Sequence, residues 1–298
     1  MRYFEARVVE NRSLGGGYFV LVLSGCGALS DSNPGQFVMV RGDWERDPLL
    51  PRAFSLLWAG ADGRAAILAK TVGRGTALLE RAQPDAPLSV LGPLGSRFPA
   101  PSADFTDLLV GGGVGIPPLY MQAELAGRVG LAANSEVLYG GRTTQDLVLL
   151  PEMRGFGVGL FLTTDDGSFG RPGLVTGELE ARLAQHGHGV MAGDSATLAS
   201  TRPRVRILAC GPNAMLWAVA RLARDRGLPC FISVEEQMAC GIGVCLGCAV
   251  PARSRPFRYA CKDGPVFDAS DILDVAPPGA PPSASSLSSS AATSACLA

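Results

Sequence analysis

Lysine and histidine are almost missing from this sequence: Lys70, Lys262, His186 and His188 are the only ones in 298 residues. Arginine carries nearly all the positive charge, which reads as a genome composition bias and not as a function. Both histidines stand in a stretch rich in Gly, Ser, Thr and Ala and read as surface residues, so no side chain stands out as an acid–base catalyst. A surplus of charge is missing too. The formal net charge is -1, which argues against a nucleic-acid partner. Nowhere do about 18 apolar residues run without charges and turn formers, which excludes a helical membrane span. Arg2, Glu5, Arg7, Glu10 and Arg12 break up the N-terminus, which excludes a secretory signal and leads us to expect a cytoplasmic protein. Of eight cysteines, four crowd between positions 240 and 261. Without a secretory signal, such crowding points to metal and not to disulfides.

What is present suffices for two or three domains, with 47% hydrophobic residues to build cores. Residues 1–100 alternate in strand fashion at Tyr3–Glu10, Tyr18–Leu23, Gln36–Val40, Ala53–Leu57 and Ala65–Lys70. Gly and Pro punctuate these short runs, which predicts an antiparallel β-barrel. A short helix is expected over Thr76–Arg81. Residues 101–230 change pattern: strands at Phe105–Val110, Glu136–Gly140, Gly157–Leu162 and Val205–Cys210 alternate with helices at Pro117–Val129, Thr176–Leu183 and Asn213–Arg226. Strand–helix alternation predicts an α/β domain on a parallel sheet. His186–Pro203 reads as a surface insertion. Residues 231–275 carry the cysteine cluster. From Ala276 to Ala298 no residue is charged; such a tail is expected to be disordered, since it buries too little apolar area to offset its ordering entropy.

The cluster reads C-x4-C-x2-C-x12-C through Cys240, Cys245, Cys248 and Cys261. The first three match the plant-type [2Fe–2S] ligand loop, with a distant fourth thiolate. Gly241, Gly243 and Gly247 suit a backbone that curls around sulfur with its N–H groups pointing inward. A structural zinc site remains the alternative, although zinc usually takes two close cysteine pairs and only one is present. A cluster that moves single electrons calls for a neighbour that exchanges two for one, as a flavin does.

Three turns have the chemistry to bind a nucleotide. Gly111-Gly112-Gly113-Val114-Gly115 follows an apolar strand and precedes Pro117-Pro118 at a helix start. Glycines there admit a pyrophosphate, and the helix N-terminus attracts it; glycine turns without ligands also exist. Cys210-Gly211-Pro212 and Gly140-Gly141-Arg142-Thr143 end two further strands of the same sheet. Taken alone, Cys210 reads more readily as a small buried hydrophobe, with only its placement arguing otherwise, and Arg142 also reads as a solvated arginine. In the barrel, Arg52-Ala53-Phe54-Ser55 and Gly73-Arg74-Gly75-Thr76 offer an arginine, a serine and a turn to a phosphate, although such features often bind nothing.

Together these residues resemble the ferredoxin–NADP reductase superfamily, and within it the electron-transfer subunits of class B dihydroorotate dehydrogenases. The resemblance spans about residues 3–275. The Arg-x-x-Ser flavin motif appears as Arg52, Ala53, Phe54 and Ser55, the second flavin strand as Leu68, Ala69 and Lys70, and the phosphate turn as Gly75 and Thr76. Gly92-Pro93-Leu94-Gly95 matches the turn that closes the barrel. The nucleotide loop is Gly111, Gly112, Gly113 and Gly115; Cys210 and Gly211 match the nicotinamide segment, and Thr164-Asp165-Asp166-Gly167-Ser168 a further motif. Most specific are Glu236–Cys245 and Cys261–Phe267. Ala53 and Ala69-Lys70 depart from the common residues. The resemblance implies FAD in the barrel, NAD(H) on the α/β domain, and a [2Fe–2S] cluster on Cys240, Cys245, Cys248 and Cys261. It also implies an FMN-containing dihydroorotate dehydrogenase catalytic subunit as partner, in a heterotetramer of two plus two, serving pyrimidine biosynthesis. A related NAD(P)H:ferredoxin oxidoreductase or sulfhydrogenase subunit is the other reading.

Overall fold

The computed structural model describes residues 1–44, 47–188 and 204–272. Of the insertion expected over His186–Pro203, all but residues 186–188 lies outside the described residues, as does the tail expected from 276.

β1 (Arg2–Gly15) and β2 (Tyr18–Ser24) form a hairpin. Gly15, Gly16 and Gly17 turn it with φ of 83°, 58° and 79°, a left-handed run that only glycine adopts without strain. β3 (Phe37–Gly42), β4 (Arg52–Ala59), β5 (Ala65–Lys70), α1 (Arg74–Glu80) and β6 (Pro87–Leu94) follow. The strands close a barrel in the order β1-β2-β5-β4-β3-β6, as expected from their alternation. β6 shows why: its burial alternates residue by residue, the signature of one face in the core and one outside. β1 closes the ring by pairing with β6 through its first half and β2 through its second.

The parallel unit runs through β7 (Phe105–Gly112), α2 (Pro117–Arg128), β8 (Ser135–Gly141), α3 (Leu150–Arg154), β9 (Gly159–Thr164), β10 (Arg171–Pro172), α4 (Val175–Gln185), β11 (Arg204–Cys210), α5 (Asn213–Asp225) and β12 (Cys230–Ser233). Leu108, Leu109 and Val110 of β7 are fully buried, because helices cover both faces of a parallel sheet. α4 and α5 lie on one face and α2 on the other, where α2 also meets β4 of the barrel. α3 and β10 carry no periodic signal and escaped the sequence reading.

The remaining chain adds β13 (Ala249–Pro251), β14 (Phe257–Tyr259), β15 (Val266–Asp268) and α6 (Ala269–Ile272). β15 pairs antiparallel with β12, so the sheet order is β10-β9-β8-β7-β11-β12-β15. The cysteine-bearing segment is thereby sewn onto the sheet. It is also fastened to the barrel: Ser96 N–H donates to Gly264 O at 2.5 Å, and Val266 N–H donates to Ser96 Oγ at 3.0 Å. One apolar core accordingly joins Phe37, Met39 and Leu94 of the barrel with Cys248, Cys261 and Phe267.

Expected as a surface residue of an insertion, His186 instead caps α4 and lies 3.0 Å from Glu136 Oε1, which also accepts from Arg182 at 2.6 Å. The Glu136 carboxylate of β8 thus meets Arg182 and His186, both at the C-terminal end of α4.

Candidate cofactor site

The four cluster cysteines come together as two pairs. Cys248 and Cys261 are buried with sulfurs 3.3 Å apart. Cys240 faces Cys245 on the more exposed side, and its Sγ accepts from the N–H groups of Ile242 and Cys245, each at 3.4 Å. The loop reaches this shape because Gly241 and Gly243 have φ of 71° and 79°. Leu246 also takes φ 61°, a cost of about 1–2 kcal/mol for a non-glycine residue. Burial would push the Cys240 thiol up, but the N–H groups of Cys245, Ile242 and Val244 outweigh it and hold it down at about 6. Burial, and then Cys248 beside it, push Cys261 up to about 12. Two sulfur pairs with inward N–H donors suit two bridged irons.

The barrel opens a cleft beside this loop. Arg52, Ala53, Phe54 and Ser55 of β4 and Leu68, Ala69 and Lys70 of β5 line one wall, with Thr76 at one end. Gly75 is buried and a Cβ there would strike the Arg52 guanidinium, so glycine lets the arginine lie across the turn. The Thr76 hydroxyl is spent locally, donating to Gly73 O at 2.9 Å and accepting from the Val72 and Gly73 N–H groups. Ser233, Val234, Glu235, Glu236 and Met238, which lead into the cysteine loop, form the opposite wall. A largely apolar slot with Arg52 near the turn and Ser55 and Ser233 along its walls suits a flat aromatic ring on a phosphate chain.

A second cleft lies at the carboxyl ends of the parallel strands. β7 is the switch point, since β8 extends the sheet on one side and β11 on the other; open α/β sheets bind ligands at such a crevice. Gly112, Gly113, Gly140, Gly141, Arg142 and Pro212 line it. A Cβ on Gly115 would stand 2.6 Å from Gly211 Cα, and one on Gly112 would stand 2.9 Å from Pro212. Gly111 pairs in register with Cys210. The glycine loop and the Cys210-Gly211-Pro212 turn are therefore packed against each other, with Gly111 and Gly115 behind the cleft surface. Cys210 is wholly buried, and burial raises its thiol above the usual range.

Lys70, Val114 and Glu235 line both clefts, so two clefts share one wall. Glu235 is exposed to the cleft space, and partial desolvation there raises its carboxyl. Lys70 and, within the Glu236–Cys245 motif, Met238 were named from the sequence, but Glu235, Asp146 and Tyr18 were not assigned to a site. Glu235 adjoins the cysteine motif, which was its one available signal. Asp165 of the Thr164–Ser168 motif does reach the second cleft.

Residues 235–273 match the family model for the iron–sulfur cluster binding domain of dihydroorotate dehydrogenase B. The chain is 36% identical over 271 residues to the electron transfer subunit of dihydroorotate dehydrogenase B (NAD(+)) from Geobacillus kaustophilus, covering 89% of this chain and 96% of the relative. The same subunit from Geobacillus thermodenitrificans is 37% identical over 272 residues, at the same coverage. Among solved structures, an NADH-dependent reduced ferredoxin-NADP oxidoreductase superposes with a TM-score of 0.74 at 26% identity, covering 90% of this chain and 89% of that one.

Proposed function

The chain belongs to the family of electron transfer subunits of NAD-dependent dihydroorotate dehydrogenase B, and from that premise we propose that it carries electrons from a catalytic subunit to NAD+ in pyrimidine biosynthesis. The observation that carries this reading is the shared wall: the cysteine segment borders the barrel cleft, and that cleft borders the nucleotide crevice. When bound, FAD exchanges a hydride with NAD+ and single electrons with a [2Fe–2S] cluster.

The residues divide the work. Cys240 and Cys245 would hold one iron and Cys248 and Cys261 the other, with the Ile242 and Cys245 N–H groups aimed at sulfur. Arg52, Gly75 and Thr76 would hold the FAD phosphates, and Ala53, Phe54, Ser55, Leu68, Ala69 and Lys70 would flank its ring. Gly111, Gly112, Gly113, Gly115, Cys210 and Gly211 would shape the NAD crevice. None of these groups is asked to move a proton in oxidising dihydroorotate; that reaction falls to the partner subunit.

The family implies a catalytic partner, which we take to hold FMN and to pair with this chain as a heterotetramer of two plus two. Ile242, Val244 and Leu246 stand between the cluster cysteines with 43%, 73% and 53% of their surface exposed. Three apolar side chains beside the electron entry point suit a docking face. Among the described residues no helix is long and apolar enough to cross a membrane.

Coexpression with an FMN-holding dihydroorotate dehydrogenase subunit tests the reading. Dihydroorotate-dependent NAD+ reduction is expected from the mixture and from neither chain alone. Cys248→Ser is expected to abolish the iron and acid-labile sulfide content while FAD stays bound. A colourless wild-type protein containing zinc would overturn the assignment.

A further inference from the structure

Asp146 belongs to the nucleotide unit, yet its carboxylate turns toward the barrel. Its Oδ1 accepts from the Tyr18 hydroxyl at 2.9 Å and from Lys70 Nζ at 2.7 Å, while Oδ2 accepts from the Arg142 N–H at 3.1 Å. The Lys70 ammonium also lies 4.3 Å from the centroid of the Tyr18 ring. Tyr18 ends its turn on β2, and Lys70 closes β5, so both anchors come from the barrel. The knot is sheltered: the side chains of Lys70 and Asp146 are 22% and 10% exposed, and Tyr18 is buried.

The knot extends to the glycine loop. The Tyr139 hydroxyl lies 2.7 Å from Asp146 O and 3.1 Å from Gly113 O. A Cβ at Gly113 would stand 3.4 Å from the Tyr18 hydroxyl oxygen. Around it the same two units touch again: Arg12 pairs with Glu152 at 3.1 Å, and a Cβ at Gly16 would stand 3.2 Å from Gln145 O.

A sheltered ion pair adds little net stability, because desolvation offsets the attraction, while its directional bonds select one geometry. This pair sits where geometry matters: Tyr18, Lys70 and Asp146 all line the nucleotide crevice, and Lys70 lines the barrel cleft as well. Hydride transfer needs two rings in near contact, and a shift of about 1 Å costs roughly a hundredfold in rate.

We propose that Tyr18, Lys70 and Asp146 form an interdomain latch that sets the approach of nicotinamide to flavin, with Asp146 and Tyr18 as positioning residues. The proposal rests on the FAD and NAD reading given above. Lys70 serves here through its ammonium, which the Asp146 carboxylate already holds.

The test uses the full chain loaded with FAD and cluster, mixed with NADH without oxygen in a stopped-flow spectrophotometer. For Asp146→Asn we expect unchanged flavin content, a weakened nicotinamide–flavin charge-transfer band, and reduction slowed at least about tenfold. Its NADH affinity is expected to stay within about threefold, since the latch orients the dinucleotide and does not grip it. Tyr18→Phe removes one hydroxyl and no carbon; it is expected to show the same effect in smaller degree, and it carries the test should Asp146→Asn fail to fold. The double variant is expected to match Asp146→Asn alone, because both changes open one knot. A normal band and rate in the variants, or a loss confined to NADH affinity, would overturn the latch. A wild-type chain that binds no FAD, or is not reduced by NADH, would instead sink the functional reading beneath it.

Discussion

Two glycine-rich loops serve this protein for different physical reasons. In the nucleotide loop the constraint is space: a Cβ at Gly115 would meet Gly211 Cα at 2.6 Å and Cys210 O at 2.7 Å, and only Gly113 among its glycines has a positive φ. In the cysteine loop the constraint is conformation. Gly243 has φ 79°, while the nearest obstacle to a Cβ is the flexible Lys262 side chain at 3.2 Å. Gly241 answers to both, with φ 71° and Met39 at 2.6 Å. One residue type thus marks a close crossing of two backbone turns in one place and a ligand-wrapping curl in the other.

That contrast is open to direct attack. Gly115→Ala is expected to be the more damaging change, since backbone atoms on two turns must part; a loss of about 1–3 kcal/mol is expected. Urea melts of the holo chain would show it, together with weakened NADH binding. If Gly115→Ala melts like wild type, space is not what the loop demands. Gly243→Ala is expected to cost about 1–2 kcal/mol through its left-handed backbone, with cluster loading reduced and NADH binding intact. Equal damage to both sites from either change would erase the distinction.

The smallest expected effect concerns pH. Burial raises the Asp146 carboxyl, but Lys70 and then Tyr18 outweigh it, so its pKa lies below the ordinary value. A carboxylate depressed on folding contributes stability above its unfolded pKa of about 3.9 and loses it as pH falls through the folded value. The stability gap between wild type and Asp146→Asn is expected to hold near neutrality and to close below about pH 4. A gap that stays constant down to acid pH would show that the charge of Asp146 is not what joins the two units.

Parts of the site were legible because their signals are local. The C-x4-C-x2-C spacing is one loop's covalent geometry, and Gly241 and Gly243 take left-handed φ within it. β7 announced itself by an apolar run ending in glycine, whereas β6 escaped, because its last residues resemble the Gly92–Gly95 turn. The latch was illegible. Tyr18, Lys70 and Asp146 are separated by 52, 76 and 128 positions in their pairings, and no spacing rule links them. His186 misled for a related reason: the partner that draws it inward, Glu136, lies 50 positions away.

By itself the sequence determined the alternation that closes a barrel, the strand–helix rhythm that builds a parallel sheet, and the cysteine loop that wraps sulfur. Each of these depends on neighbours within a few residues, through side-chain period, allowed φ or reach of the chain. Only the tertiary structure decided that β15 would sew the cysteine segment onto β12, that Glu235 would stand between two clefts, and that Asp146 would hold Tyr18 and Lys70. Those outcomes depend on how separately formed surfaces pack, which is a property of the assembled core and not of any stretch of chain.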